Sequence, residues 1–168
     1  MEKTLIINMD YVAINGDVLD VTSDKAGIIY NLSKDVIDEI SVDYVDENNK
    51  DILLKRRYDI CTFFFNLNEV WSNRKRECII KEASQYLKKD GKIYLWDINK
   101  ERGKIVNSKV KIKMPNKTFK ETDVINLNPL IEFNYKDVEK ILSKYLVHID
   151  FSQNFYDNSY SIFRGGIL

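Results

Sequence analysis

The run DVLDVTSDKAG, residues 17–27, gathers most of the side chains here that could hold a ligand. Val18, Leu19 and Asp20 form the run-up of a nucleotide-binding strand. Thr22, Ser23, Asp24 and Gly27 follow as the loop that leads into a helix. Two further places carry polar groups after an apolar run: Asp43, beyond the alternating EISVDYV, and Phe65-Asn66, beyond YDICTFFF. This is the chemistry of binding, with carboxylates and hydroxyls to accept hydrogen bonds, a carboxamide to orient an amine and a ring to stack. Nucleophilic catalysis is poorly served. His148 is the single histidine and falls in a predicted strand, where a hydrogen-bonding role is the ordinary one. No GxSxG elbow is present, and no GxGxxG follows the first strand. Cys61 and Cys78 form no CxxC motif and leave a zinc site short of ligands, so no metal is expected. Cys61 lies in an apolar run and reads as a buried, inert thiol.

These residues need a scaffold that brings them together. The periodicity predicts short strands at 18–21 and 39–45, a near-continuous apolar strand at 58–65, and another at 92–98. Helical spacing appears at 26–34, at 74–87 and at 135–145. The 74–87 helix is expected to start on Ser72 or Asn73, to turn Cys78, Ile79, Ala83, Tyr86 and Leu87 inward, and to stop at Asp90-Gly91 with Gly91 in the left-handed cap position. Apolar pieces at 4–7 and 11–14 read as a strand or an extended lead-in, and Asn15-Gly16 reads as a turn. Residues 109–119 read as a strand and a turn around Pro115-Asn116. Residues 146–151 and 160–163 read as a closing hairpin, with its turn near Asp157-Asn158.

Alternating strands and helices make this an α/β protein with parallel strands in the middle of its sheet and an antiparallel hairpin at one edge. In such a sheet ligands bind beyond the carboxyl ends of the strands. Residues 22–27, those after Asp43, and 65–70 are therefore expected on one rim. Asp97 ends a strand on the same rim, where turn formation is the common role.

The chain has 168 residues, 44% of them hydrophobic and 31% charged, which fits one soluble domain spanning 1–168. Its 26 basic and 26 acidic residues cancel, so no nucleic-acid partner is expected. Lys55-Arg56-Arg57 and the run KVKIKMPNKTFK at 109–120 are the densest basic clusters, and both read as solvated faces of a loop and a strand. No apolar run is long enough to span a bilayer, and Asn8 and Asp10 interrupt any signal-peptide core, so the expected location is the cytoplasm, away from membranes.

With these elements in place, the sequence resembles the class I S-adenosylmethionine-dependent methyltransferases over about residues 16–163. VLDVTSDKAG stands where that family has a VLD(V/I)GxGxG strand and loop. Asp43 stands where the acid ending the second strand is usual. Residues 58–97 are similar to the fourth strand, its helix, an LKPGG-like turn (here LKKDG) and the fifth strand. The resemblance implies a Rossmann-like three-layer sandwich, with a mostly parallel sheet and a C-terminal antiparallel hairpin. It implies S-adenosylmethionine as cofactor, and Asp20, Thr22, Ser23, Asp24, Gly27, Asp43, Phe65 and Asn66 as the residues that hold it. Asp43 would accept hydrogen bonds from the ribose hydroxyls.

The chain departs from the family in three ways. Thr22, Asp24 and Ala26 occupy the usual glycine positions of the loop, so the close backbone approach that glycine allows is lost there. Asp24 would repel a ligand carboxylate, attract a sulfonium or amine, or cap the following helix. Only residues 44–57 separate Asp43 from the next strand, which contracts the fold around its usual third strand. No catalytic residue is evident. Two readings follow. One is a methyltransferase-like protein with a small-molecule acceptor. The other is a non-catalytic descendant of the fold that serves as a binding or self-association module, for example a homodimer formed through the sheet edge exposed beside residues 41–45.

Overall fold

A computed structural model of the protein describes residues 3–9, 12, 14–21, 28–35, 39–41, 55–153 and 160–167. The chain is mixed α/β, with parallel and antiparallel sheets.

The strand elements are β1 (Lys3–Asn8), β2 (Ile14–Asn15), β3 (Val18–Asp20), β4 (Ser33–Asp35), β5 (Glu39–Ser41), β6 (Tyr58–Phe64), β7 (Leu87–Ile98), β8 (Val106–Lys113), β9 (Phe119–Asn126), β10 (Leu146–Gln153) and β11 (Tyr160–Ile167). The helices are α1 (Ile28–Leu32), α2 (Asn73–Tyr86) and α3 (Tyr135–Leu142). The main sheet has six strands in the order β10-β11-β7-β6-β3-β5. Four adjacent strands, β7, β6, β3 and β5, run parallel, with Leu19 beside Ile40 and Cys61, and Cys61 beside Ile93. The C-terminal pair joins antiparallel, β11 on β7 and β10 on β11. Among the described residues β5 is the far edge. The contraction expected between Asp43 and residue 57 falls on 42–54, outside the described residues.

The continuous apolar run of β6 is explained by cover on both faces. Cys61 and Phe63, with Leu19, Ile93 and Leu95, face α2 and α3. Ile60 and Phe64, with Val18, Tyr94 and Trp96, face the opposite way. That second face is covered by α1 and by a separate three-stranded sheet, β1-β8-β9. β1 pairs parallel with β8, and β8 antiparallel with β9. Strand alternation turns Val106, Val110 and Ile112 inward and Asn107, Lys109, Lys111 and Lys113 outward. The basic run is thus the outer face of a strand, with Lys111 Nζ 4.9 Å from the centre of the Phe119 ring.

Several details differ from the sequence reading. α2 does start on Ser72, whose hydroxyl accepts from the Lys75 N–H at 3.3 Å. Its inward stripe, however, is Arg76, Ile80, Ala83 and Tyr86, while Cys78 is exposed. The helix stops at Tyr86 because Leu87 is extended, and 88–91 bulge out within β7, which shifts its register against β6. Gly91 therefore serves close approach and not a left-handed cap, since a Cβ there would meet Leu87 Cβ at 2.9 Å. Of the helix expected at 26–34, the described residues show α1 and then β4 from Ser33, with 26–27 outside them. β9 is a strand the periodicity did not show, because its residues 119–123 lie on the surface. The hairpin is present as β10 and β11, with its turn outside the described residues.

Candidate functional site

The four parallel strands end together, so the residues after β3, β6 and β7 share one ledge. Asp20, at the end of β3, is buried, and its Oδ1 accepts the Thr62 hydroxyl at 2.9 Å from the neighbouring β6. The Val21 N–H donates to the Thr62 carbonyl at 2.9 Å, which carries the β3–β6 ladder one residue past the strand. Beyond β6 the chain turns sharply. Phe65 has φ 53°, the left-handed region, which is costly for a side chain of this size. Its N–H donates to the Trp96 carbonyl at 2.7 Å, and its ring lies edge-on to Phe64 at 4.8 Å. Phe65 is 0% exposed, so its ring belongs to the core and offers no free face for stacking.

Asn66 follows. Its Nδ2 donates to the Val21 carbonyl at 3.0 Å, tying the end of β6 to the end of β3. A short 3-10 turn at Leu67–Glu69 carries Asn68, whose backbone N–H and Nδ2 both bond the Asp97 carboxylate, at 3.0 and 2.6 Å. Asp97 Oδ1 also accepts the Ile98 N–H at 2.9 Å. Asp97 thus anchors the neighbouring turn with a fully buried carboxylate, a larger task than turn formation.

Arg76 reaches the same place from α2. It is 2% exposed, donates Nε to the Leu67 carbonyl at 3.1 Å, and lies 4.9 Å from the Phe133 ring centre. Burial pulls its pKa down, and the charges of Asp97, Asp137 and Glu132 oppose that pull. Beneath the ledge, burial pushes the Cys61 thiol well up, and the nearby Asp20 charge adds to the shift, so the thiol is inert.

Three buried side-chain atoms among the described residues have no hydrogen-bond partner: Asn66 Oδ1, Asn68 Oδ1 and Trp96 Nε1. All three sit at the carboxyl ends of β6 and β7. Neither carboxamide gains from reversal. A flipped Asn66 would set its oxygen against the Val21 carbonyl, and a flipped Asn68 would set its oxygen against Asp97. Buried orphan groups are rare and call for an explanation.

Of the residues expected at the site, the structure brings Asp20 and Asn66 together through Val21 and Thr62, and it places Phe65 in the core. Thr22, Ser23, Asp24, Gly27 and Asp43 lie outside the described residues. Thr62, Arg76 and Asn126 were not singled out in the sequence. Arg76 alone left a trace there, as a charge in step with Ile80 and Ala83 on the helix's apolar stripe. The backbone of His148 lies in β10, far along the chain from the ledge turn. Among the described residues no cluster of His, Cys, Asp or Glu could hold a metal ion, and no helix is long and apolar enough to cross a membrane.

No protein-family model matches the sequence, and no curated protein matches it. Solved structures do. A Sulfolobus solfataricus protein assigned as a type 11 methyltransferase is similar with a TM-score of 0.53 at 14% identity, over 91% of this chain and 85% of that one. The CurJ carbon methyltransferase gives 0.54 at 10% identity, over 99% of this chain and 48% of that one. DhpI, in complex with SAH, gives 0.50 at 12% identity, over 90% and 76%. The chain shares its fold with the class I S-adenosylmethionine-dependent methyltransferases.

Proposed function

We propose that this chain binds S-adenosylmethionine on the ledge and methylates a small-molecule acceptor. The observation that carries the reading is the placement of the three orphan buried atoms. Two acceptors and one donor stand without partners where a sheet of this topology binds its ligand, and a ligand rich in amines and hydroxyls would satisfy them. Asn66 Oδ1 suits an amine. Asp20, held by Thr62, supplies a fixed carboxylate at the end of β3. Thr22, Ser23, Asp24 and Gly27 would complete the cradle, with Asp43 on the ribose. When bound, the cofactor supplies a methyl carbon already activated by its sulfonium. The chain's own part is to orient and to exclude water, and orientation alone can supply much of the rate. A cytoplasmic location, a single domain and a Rossmann-like sandwich belong to the same proposal.

The second reading, a binding or self-associating module without catalysis, is favoured by Thr22, Asp24 and Ala26 in place of loop glycines. Calorimetric titration with S-adenosylmethionine and S-adenosylhomocysteine separates the two. Micromolar binding that Asn66→Ala weakens supports the enzyme reading. No heat at millimolar ligand retires it.

A further inference from the structure

Two buried side chains tie the turn at 66–70 to the segment 127–133 that joins β9 to α3. Asn126, the last residue of β9, donates Nδ2 to the Asn68 carbonyl at 2.7 Å and accepts the Asn128 N–H on Oδ1 at 3.1 Å. Arg76 bridges the same two pieces further along, from the Leu67 carbonyl to the Glu132 carbonyl, at 3.1 and 2.6 Å. The segment also has a fixed internal shape. Lys100 is buried, and its ammonium donates to the carbonyls of Asn128 and Ile131. The Lys100 and Phe133 backbones exchange both of their hydrogen bonds, at 2.8 and 2.9 Å. Segment 127–133 is therefore a strap, stiffened by Lys100 and fastened to the ledge turn at two points. Its outer surface carries Leu127 and Leu130, exposed by 59% and 72%.

We infer that Asn126 is a positioning residue for the candidate site: it and Arg76 make strap and turn one cooperative unit, so that the place of Asn66 follows the place of the strap. Asn126 suits the task because its carboxamide donates to one piece while accepting from the other. A carboxylate of the same shape can only accept. Asn126→Asp keeps the bond from the Asn128 N–H and turns an oxygen against the Asn68 carbonyl. The apolar rim of the strap then becomes a handle on the ledge. Whatever presses on Leu127 and Leu130 moves the turn that carries Asn66.

Hydrogen exchange tests the coupling directly. The Val70 N–H, bonded to Leu67, and the Ile131 N–H, bonded to Asn128, report on the turn and the strap. In the wild-type chain the two amides are expected to open with one free energy and one denaturant dependence. In Asn126→Asp both are expected to exchange about tenfold faster, as a buried acceptor loses its donor, while the β8–β9 ladder keeps its protection. Different denaturant slopes in the wild type, or acceleration of one amide alone, overturn the coupling, and the wild-type comparison decides even if the variant does not fold. The positioning role rests on the ligand reading above and has its own arm. S-adenosylhomocysteine affinity is expected to fall about tenfold in the folded variant, and unchanged affinity overturns it. If the wild type takes up no S-adenosylhomocysteine, the proposed function fails, and the exchange data still judge the coupling.

Discussion

The Asp20 carboxylate accepts the Thr62 hydroxyl at 2.9 Å across two neighbouring parallel strands, both side chains buried. The bond fixes the acid at the end of β3 before any ligand arrives. Thr62→Val keeps the shape and removes the donor. Its expected cost is about 1–3 kcal/mol, the range for a buried polar group that loses a partner, read as a lower urea midpoint with unchanged slope. Thr62→Ser is expected to recover most of it. A valine variant as stable as wild type would show that the bond contributes nothing.

The two thiols should react very differently. Cys61 is fully buried with its pKa pushed well up, whereas Cys78 is exposed on α2. Alkylation of the native protein, read by mass spectrometry, is expected to modify Cys78 alone, and both cysteines once the chain is unfolded. Native labelling of Cys61 would mean that the sheet opens at its centre.

Gly16 has φ 86°, and a Cβ there would collide with the Asp59 carboxylate. Gly16→Ala therefore combines a left-handed backbone cost of about 1–2 kcal/mol with displacement of a carboxylate that accepts the Asp17 N–H at 2.8 Å. Chemical denaturation is expected to show a loss above the backbone cost alone. A loss smaller than that would mean that the turn relaxes freely.

The pH dependence of stability should answer to Lys88, whose ammonium lies 2.8 Å from Asp59 and 3.2 Å from Asp17. Burial pushes the Asp59 carboxyl up, but the Lys88 bond, the Asp17 N–H and the charges of Lys88 and Arg57 outweigh it and hold the group below its ordinary value. A lowered acid contributes stability above its unfolded pKa and loses it as pH falls through the folded one. Lys88 is shifted the opposite way, upward, chiefly by its bond to Asp59. Its contribution holds below its ordinary value and fades as pH rises through the raised one. Lys88→Met is expected to move the acid unfolding midpoint, followed by circular dichroism, to higher pH. Added salt should shrink the difference, because these side chains are partly solvated. Identical acid transitions in the two proteins would refute the assignment.

What the sequence disclosed, and what it hid, follows from the range of each signal. The run ending in Phe63 and Phe64 announced a central strand, because cover on both faces leaves no polar positions to interrupt it. Val138, Ile141 and Leu142 announced the inward face of α3 by spacing alone. Gly91 misled because a glycine after a helix commonly caps it, and here the same absence of a Cβ serves a bulge against Leu87. β9 stayed hidden because Lys120, Glu121 and Asp123 are all exposed, leaving only Val124 and Asn126 to mark an inner face. At the site, Asp20 and Asn66 were visible as polar groups beyond apolar strands. Thr62 and Asn126 were not, because their partners lie 42 and 58 residues away in the chain. Phe65 looked like a stacking ring, since nothing local reveals that a left-handed turn folds it into the core.

The parallel pairing of β1 with β8 sets Lys3 beside Ser108 and Asn8 beside Lys113. β1 must therefore wait for a partner that emerges roughly a hundred residues later, and closing such a loop is slow. Until then Ile7 has no place to bury, and one face of the main sheet stays open to water.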